Sequence, residues 1–356
     1  MSFHGNSLQL KAEINEAKVG IFLYNKGMIF IRRNQMAFYD FDLTDQVRGK
    51  HELWDIEQIV GFSSLMYRYK DLETGVGRSG FGISVGIKAL YVQFHYDLSD
   101  RELENRLRFD LGFRWFCGFT AFAETPDHTF FCRFRKLMGT KRISHLFKMI
   151  VKRSEKVGIM RSVFRFADAT AIITKQTTWE ERDKALSEGE EALNNANIKK
   201  YSADSEARFG CKGKSKFWFG YKGHVSVDMG SMLIDRIAAT PANISDQAGF
   251  AHVCPRSGEM FFADKAYCLK PAQTAMKKRG AHSAAILRNN MKSKNKDLDK
   301  WRSKMRSPFE CIFSKFEKRA RYRGLAKMQF QLFMDAIVWN VKRLVVITPL
   351  PNLSGA

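Results

Sequence analysis

Three acids stand where a solvated carboxylate is not expected. Asp168 interrupts the apolar run Arg165-Phe166-Ala167-Asp168-Ala169-Thr170-Ala171-Ile172-Ile173, and Asp264 closes Met260-Phe261-Phe262-Ala263. Glu310 opens the segment after Pro308, beside Phe309, Phe313 and Phe316. A charged carboxylate near a core is costly unless it is paired or binds a metal, and several together repel unless a divalent cation sits among them. Mg²⁺ takes oxygen ligands and is held by one or two protein carboxylates together with substrate phosphates. Two such ions about 3.5–4 Å apart activate an attacking oxygen and stabilise a leaving one in phosphoryl transfer. Mg²⁺, with Mn²⁺ as a substitute, is therefore the expected cofactor of a set made by Asp168, Asp264 and Glu310. Spacing alone leaves other roles open. Asp168 could cap a turn, Asp264 could pair with Lys265 or Lys222, and a Glu in the first turn of a helix is favoured by the dipole.

The surroundings of these acids are cationic. The 356 residues carry 59 Lys+Arg against 37 Asp+Glu, a formal charge of +22, which calls for a densely negative partner. Residues 131–160 hold nine basic and one acidic residue, and residues 271–330 hold seventeen and four, whereas residues 1–130 are slightly acidic. Both basic stretches are threaded with Phe, Leu, Ile and Trp that need a core, which argues against a disordered cationic tail. Nucleic acid is the leading expectation and an anionic membrane surface the second.

At 45% hydrophobic the chain has globular composition and a length suited to about two domains. Its six cysteines fall at no metal-binding spacing and read as reduced, mostly buried thiols. There is no basic-then-apolar leader pattern and no run near the roughly 18–20 apolar residues of a membrane span. No membrane association and a cytoplasmic location, on the nucleoid when bound to DNA, are expected.

The elements that must position the acids follow from patterning. Short apolar runs at Gly20–Tyr24 and Met28–Ile31 could pair as strands. Ser99 with Glu102 forms a capping box ahead of Leu103, Leu107 and Leu111, and Thr125-Pro126-Asp127 signals a second helix start, with Thr125 as cap and Pro at the first position. Two helices joined across 118–125 could form a helix-turn-helix or an ordinary bundle corner. From Val163 the pattern turns to strands, at Val163–Ile173, Phe217–Val227, Met232–Ala239 and Glu259–Ala263, with another at Ser283–Arg288. Helices are expected at Ser245–Val253, Pro271–Arg279 and across Pro308–Ile347, and Glu180–Ala196 is an acidic, solvated insert between the first two strands. Lys292, Lys294, Lys296 and Lys300 read as a polar linker. This makes a mixed α/β sheet with flanking helices, preceded by a largely helical domain. The expected boundaries are 1–158, 159–347 with an insert at about 176–212, and a tail at 348–356.

Phe166-Ala167-Asp168-Ala169-Thr170, Asp204 to Gly210 running into Lys212-Gly213-Lys214, Gly220-Tyr221-Lys222-Gly223-His224, Thr240-Pro241-Ala242-Asn243 with Asp246, Ala263-Asp264-Lys265-Ala266-Tyr267, and Glu310 with Phe313 and Lys318 occur in that order. Together, over roughly residues 85–345, they resemble the DDE transposases of bacterial insertion sequences, of the type named for insertion sequence five. The resemblance implies an RNase H-like domain with Asp168 on the first strand, Asp264 after the fourth and Glu310 on a following helix; the separations of 96 and 46 residues suit it. It also implies metal-dependent cleavage at terminal inverted repeats, strand transfer into target DNA, and an assembly of at least two protomers on DNA. Arg306, four before Glu310, matches the family's Arg-x-x-x-Glu. Ser303 stands where the family has Tyr, and Glu317 where it has Lys, with Lys318 one further on.

Under this reading Arg208, Lys212, Lys214, Lys216 and Lys222, interleaved with Gly210, Gly213 and Gly220, are expected to approach DNA phosphates, as are Arg306 and Lys318. Tyr221 and His224 read as packing residues. Trp179 and Trp301 are candidates to stack a flipped base, and Trp218 is a core residue. The competing class is a decayed or domesticated copy that binds DNA without cutting it.

Overall fold

The computed structural model describes residues 42–72, 80–213, 215–316 and 318–348. The runs at Gly20–Tyr24 and Met28–Ile31, Lys214, and all but the first residue of the expected tail lie outside the described residues. The chain divides into two compact units, residues 1–158 with 337–356, and residues 159–336. The expected second domain ran to 347; the unit ends at Ala336, inside a helix.

The first unit is helical: α1 (Thr44–Val47), α2 (Glu52–Val60), α3 (Phe62–Met66), α4 (Ile83–His95), α5 (Asp100–Phe109), α6 (Leu111–Cys117) and α7 (His128–Lys156). The near-continuous apolar run at 83–96 makes α4 a helix buried nearly all round, as such a helix must be. The capping box starts α5 as expected: Ser99 Oγ accepts from Glu102 N at 3.3 Å and Ser99 N donates to Glu102 Oε2 at 2.7 Å. The cap of α7 is Asp127, not Thr125, with Oδ1 accepting from Phe130 N at 3.0 Å. The connection before it is no tight turn. Buried Arg114 donates to the carbonyls of Leu107, Thr120 and Ala123, holding 118–127 as an ordered corner. α7 itself breaks at Gly139 (φ 56°).

The second unit is built on β1 (Phe164–Lys175), β2 (Arg208–Lys212), β3 (Lys216–Asp228), β4 (Ile234–Pro241), β5 (Met260–Phe262) and β6 (His282–Ser283). β1 is central, antiparallel to β3 and parallel to β5; β4 and the short β2 share the other edge of β3, and β6 continues parallel to β5. With β2 set aside, the order β4-β3-β1-β5-β6 is the expected RNase H-like mixed sheet. β2 was not foreseen: Gly, Cys and Lys give it little strand character, and its pairing with β3 makes it. The expected strand at Ser283–Arg288 shrinks to the two residues of β6.

Helices flank the sheet: α8 (Trp179–Ser187) and α9 (Ile198–Tyr201) in the insert, α10 (Asp246–Gly249), α11 (Lys270–Arg279), α12 (Lys296–Arg306), α13 (Glu310–Ser314) and α14 (Leu325–Ile347). The supposed linker before Glu310 is therefore largely a helix. Asn295 caps α12, its Oδ1 accepting from Asp297 N and Leu298 N at 3.0 Å, and Lys294 pairs with Asp299 at 3.3 Å.

One glycine is dictated by sheet geometry. Gly220 (φ 153°) lies at the irregularity where β1 bulges between Ile173 and Lys175, and a Cβ there would stand 2.1 Å from the Ile172 carbonyl.

Candidate active site

The register of two parallel strands brings the first two acids together. Phe164 pairs with Met260 and Phe166 with Phe262. Two residues further along are Asp168, still within β1, and Asp264, two residues past the end of β5, close enough that the charge of Asp264 acts on Asp168. Both turn inward on their own backbone: Asp168 Oδ1 accepts from Ala169 N at 2.8 Å, and Asp264 caps a 3-10 turn, Lys265–Cys268, by accepting from Ala266 N at 2.7 Å.

Asp168 is the electrostatically perturbed member. Burial pushes its carboxyl up to about 6; the Ala169 amide and Arg306 oppose this, and the negative charges of Asp264 and Asp246 add to it. Burial and neighbouring carboxylates disfavour the anion in the same direction. A cation between the acids would reverse that cost, and an oxygen-only donor set suits a hard divalent ion.

Glu310 is carried over the same face of the sheet. Residues alternate along a strand, so Phe166 shares its face with Asp168. The Phe166 ring packs on Phe309 and Phe313, both at 5.8 Å between centroids. Glu310 lies between those two anchors, yet its side chain is 62% exposed and its Oε1 stands 3.6 Å from Arg306 Nη2. Among the described residues no three His, Cys, Asp or Glu side chains stand together as ligands of one ion. The structure thus brings Asp168 and Asp264 together and leaves Glu310 joined to the site through Arg306. That arginine lies 5.7 Å over the Phe166 ring, and its Nε is buried with no hydrogen-bond acceptor.

The residues expected to meet DNA divide into two groups. Lys222 does not fit a DNA contact: its ammonium, on a side chain 12% exposed, is held by Asp246 and the Ile244 carbonyl, both at 2.9 Å. Arg208 donates to the carbonyls of Ser205 and Ala207, and Arg306 is occupied as described. Lys212 and Lys216 are exposed and face each other across the β2–β3 pair. Lys318 is exposed, while its backbone is fastened to the end of β1, where its carbonyl accepts from Ile173 N at 2.7 Å. Lys214 lies outside the described residues.

Tyr221 and His224 pack as expected. Tyr221 donates to Asp204 Oδ1 at 2.7 Å, and buried His224 meets Thr240 Oγ1 at 2.9 Å. Trp218 donates from Nε1 to the Tyr221 carbonyl, while Trp179 and Trp301 are exposed, the latter against Phe262. Asp246 was not foreseen as part of the site. Its signal in the sequence is Ser245, which caps α10 by accepting from Ala248 N and sets Asp246 at the helix start.

Two family models match the chain. Residues 162–341 match the model of the Transposase DDE domain, and residues 41–137 match that of a Transposase domain (DUF772). Among solved structures the chain is similar to the piggyBac transposase, determined by cryo-EM as a synaptic complex with hairpin DNA, at 9% identity over 79% of this chain and 71% of that one, with a TM-score of 0.37. With half of its length inside the DDE-domain match, the chain belongs to the DDE transposases, enzymes that act on DNA.

Proposed function

We propose that this transposase binds the terminal inverted repeats of its own insertion sequence, cuts there with Mg²⁺, and joins the freed ends to target DNA. The observation that carries the proposal is the pair of Asp168, within β1, and Asp264, just past the end of the adjacent parallel β5, with burial pushing the Asp168 carboxyl up to about 6. Asp168 and Asp264 would hold the metal, and Glu310 would join them after leaving Arg306. When bound, the ion would activate the attacking oxygen and stabilise the leaving one. Phe309 and Phe313 anchor the segment that carries Glu310, Arg306 sets where that carboxylate waits, and Lys212, Lys216 and Lys318 offer exposed cations to the DNA backbone. Mn²⁺, also a hard oxygen-seeking ion, would substitute. Two DNA ends must be held together for joining, so the working form on DNA is at least a dimer, and the helical first unit takes part in recognising the ends.

A binding-only reading has one observation in its favour, the engagement of Glu310 by Arg306. One experiment separates the two. The protein and an Asp264→Asn variant are incubated with Mg²⁺ and duplex DNA bearing the inverted repeats that flank the gene, and cleavage and joining are followed on gels. Cleavage by the wild type alone supports the proposal. Equal cleavage by both removes Asp264 from the site, and tight binding without cleavage by either favours the binding-only reading.

A further inference from the structure

The basic stretch in the first unit lies on one helix, and the structure sorts its charges. In α7 beyond the Gly139 break, Ile143, Leu146, Phe147, Ile150, Val151 and Ser154 are buried. Lys141, His145, Lys148, Lys152 and Lys156 are exposed. At 3.6 residues per turn these five fall within roughly 80° of arc on the opposite side, along about 22 Å of helix. Two of the stretch's arginines serve the fold instead. Arg135 grips Asp100 with two hydrogen bonds of 2.6 Å, and Arg153 donates to Ser64 Oγ at 2.9 Å and the Val60 carbonyl at 3.3 Å. The helix's one acid, Glu155, has a buried carboxyl oxygen, Oε1. The exposed face therefore holds lysines at 148, 152 and 156, with half-buried Glu155 at its edge, and like charges four residues apart repel. Residues 138–161 fall between the two stretches matched by the transposase domain models.

We infer that the outer face of α7, from Lys141 to Lys156, is a sequence-independent docking surface for the phosphate backbone of double-stranded DNA. The inference rests on the proposed DNA-binding function and adds where the first unit holds the duplex and by what chemistry. Duplex DNA presents about one negative charge per 1.7 Å of axis, so a stripe of about 22 Å faces ample phosphates for four ammonium groups. Lysine suits this use: its charge is compact, and its flexible stem follows a backbone without demanding one base sequence.

The test compares the full-length protein with Lys148→Gln/Lys152→Gln/Lys156→Gln by fluorescence anisotropy on a random-sequence duplex and on an inverted-repeat duplex, each across a salt series. Each phosphate contact contributes about 0.9 to the slope of log affinity against log salt. The triple variant should lose roughly 2.7 from the slope on both duplexes, each single variant about a third of that, and the Lys→Arg triple should keep the wild-type slope. Gln removes the charge while keeping part of the aliphatic stem and the helix propensity, and a circular-dichroism melt matching the wild type verifies the fold. A wild type that binds steeply with salt beside a triple variant of unchanged slope overturns this inference alone. A wild type that binds neither duplex overturns the proposed function and this inference with it. Tighter binding to phosphatidylserine vesicles than to either duplex also overturns the assignment of the surface to DNA.

Discussion

Arg306 holds Glu310 at 3.6 Å while lying over the ring of Phe166, two residues before Asp168 on the same face of β1. Its positive charge also acts on Asp168, in opposition to the burial that pushes that carboxyl up. The two functions separate by substitution. Arg306→Lys keeps the charge and loses the planar fork, so Asp168 should titrate near its wild-type value while cleavage falls on the order of 100-fold, the scale of a misplaced group. Arg306→Gln should lower cleavage similarly and also move the Asp168 titration above about 6. Carboxyl NMR of the two variants, read beside their cleavage rates, checks both. A titration that is the same in both variants would mean that the arginine does not act on Asp168 through its charge.

Asp168 makes stability depend on pH in a definite direction. Its folded value is about 6 against 3.8 for the free group, so between these values the native state binds the proton more tightly than the unfolded chain does. Stability from this group falls as pH rises from about 4 to 6 and stays reduced above, by at most about 3 kcal/mol. Asp168→Asn should therefore abolish cleavage yet melt higher than the wild type at pH 8, with the gain fading near pH 4. Added Mg²⁺ should raise the melting temperature of the wild type at pH 8 and leave that of Asp168→Asn unchanged. Calorimetry at the two pH values, with and without the ion, tests each part.

Much of the site was legible in the sequence because strand and capping signals are local. Asp168 inside an apolar run and Asp264 at the end of another predict strand positions, and parallel pairing does the rest. The state of Glu310 was not legible, since the ion pair with Arg306 and the packing of Phe309 and Phe313 on Phe166 depend on how α12 and α13 dock. The roles of Lys222 and Arg208 were hidden for a related reason. Interleaved lysines and glycines look solvent-facing, and only the arrival of Asp246 and Ile244 from the next connection takes the Lys222 ammonium inward. The polar surface of α12 resembles a linker, and its start is set by the side-chain cap of Asn295.

His224 defines how closely α10 approaches the sheet. Its ring is buried, and burial lowers its pKa to about 4, so it is neutral in the native state at pH 7. A Cβ added at Gly249 would stand 2.1–2.7 Å from the ring atoms, with no room on either side. Gly249 has ordinary helical φ, so the cost of Gly249→Ala is steric and should be at least about 1–3 kcal/mol, the range of overpacked cores. Because α10 begins with Asp246, the variant should also weaken cleavage in the fraction that remains folded. Urea unfolding, paired with cleavage rates normalised to folded protein, measures both effects.

The start of β1 is fixed by a buried charge cluster. Arg165, 4% exposed, pairs with Asp228, with Glu259 at 2.8 Å and with Asp235 at 3.4 Å, while Arg236 approaches Asp235 at 3.6 Å and Glu259 at 3.8 Å. Burial raises the Asp235 carboxyl, and the positive charges of Arg236 and Arg165 oppose that rise. The Arg165 guanidinium reaches all three acids, with Arg236 beside two of them. A buried pair contributes little relative to an apolar replacement, but removing one partner leaves uncompensated charge and costs about 3–5 kcal/mol. Arg165→Met should destabilise by about that amount at pH 7, and by less near pH 4, where the stranded acids take up protons. Arg165→Lys, with one ammonium in place of the fork, should fall between Met and the wild type. A loss independent of pH would mean that packing of the arginine stem, rather than its charge, secures the strand that carries Asp168.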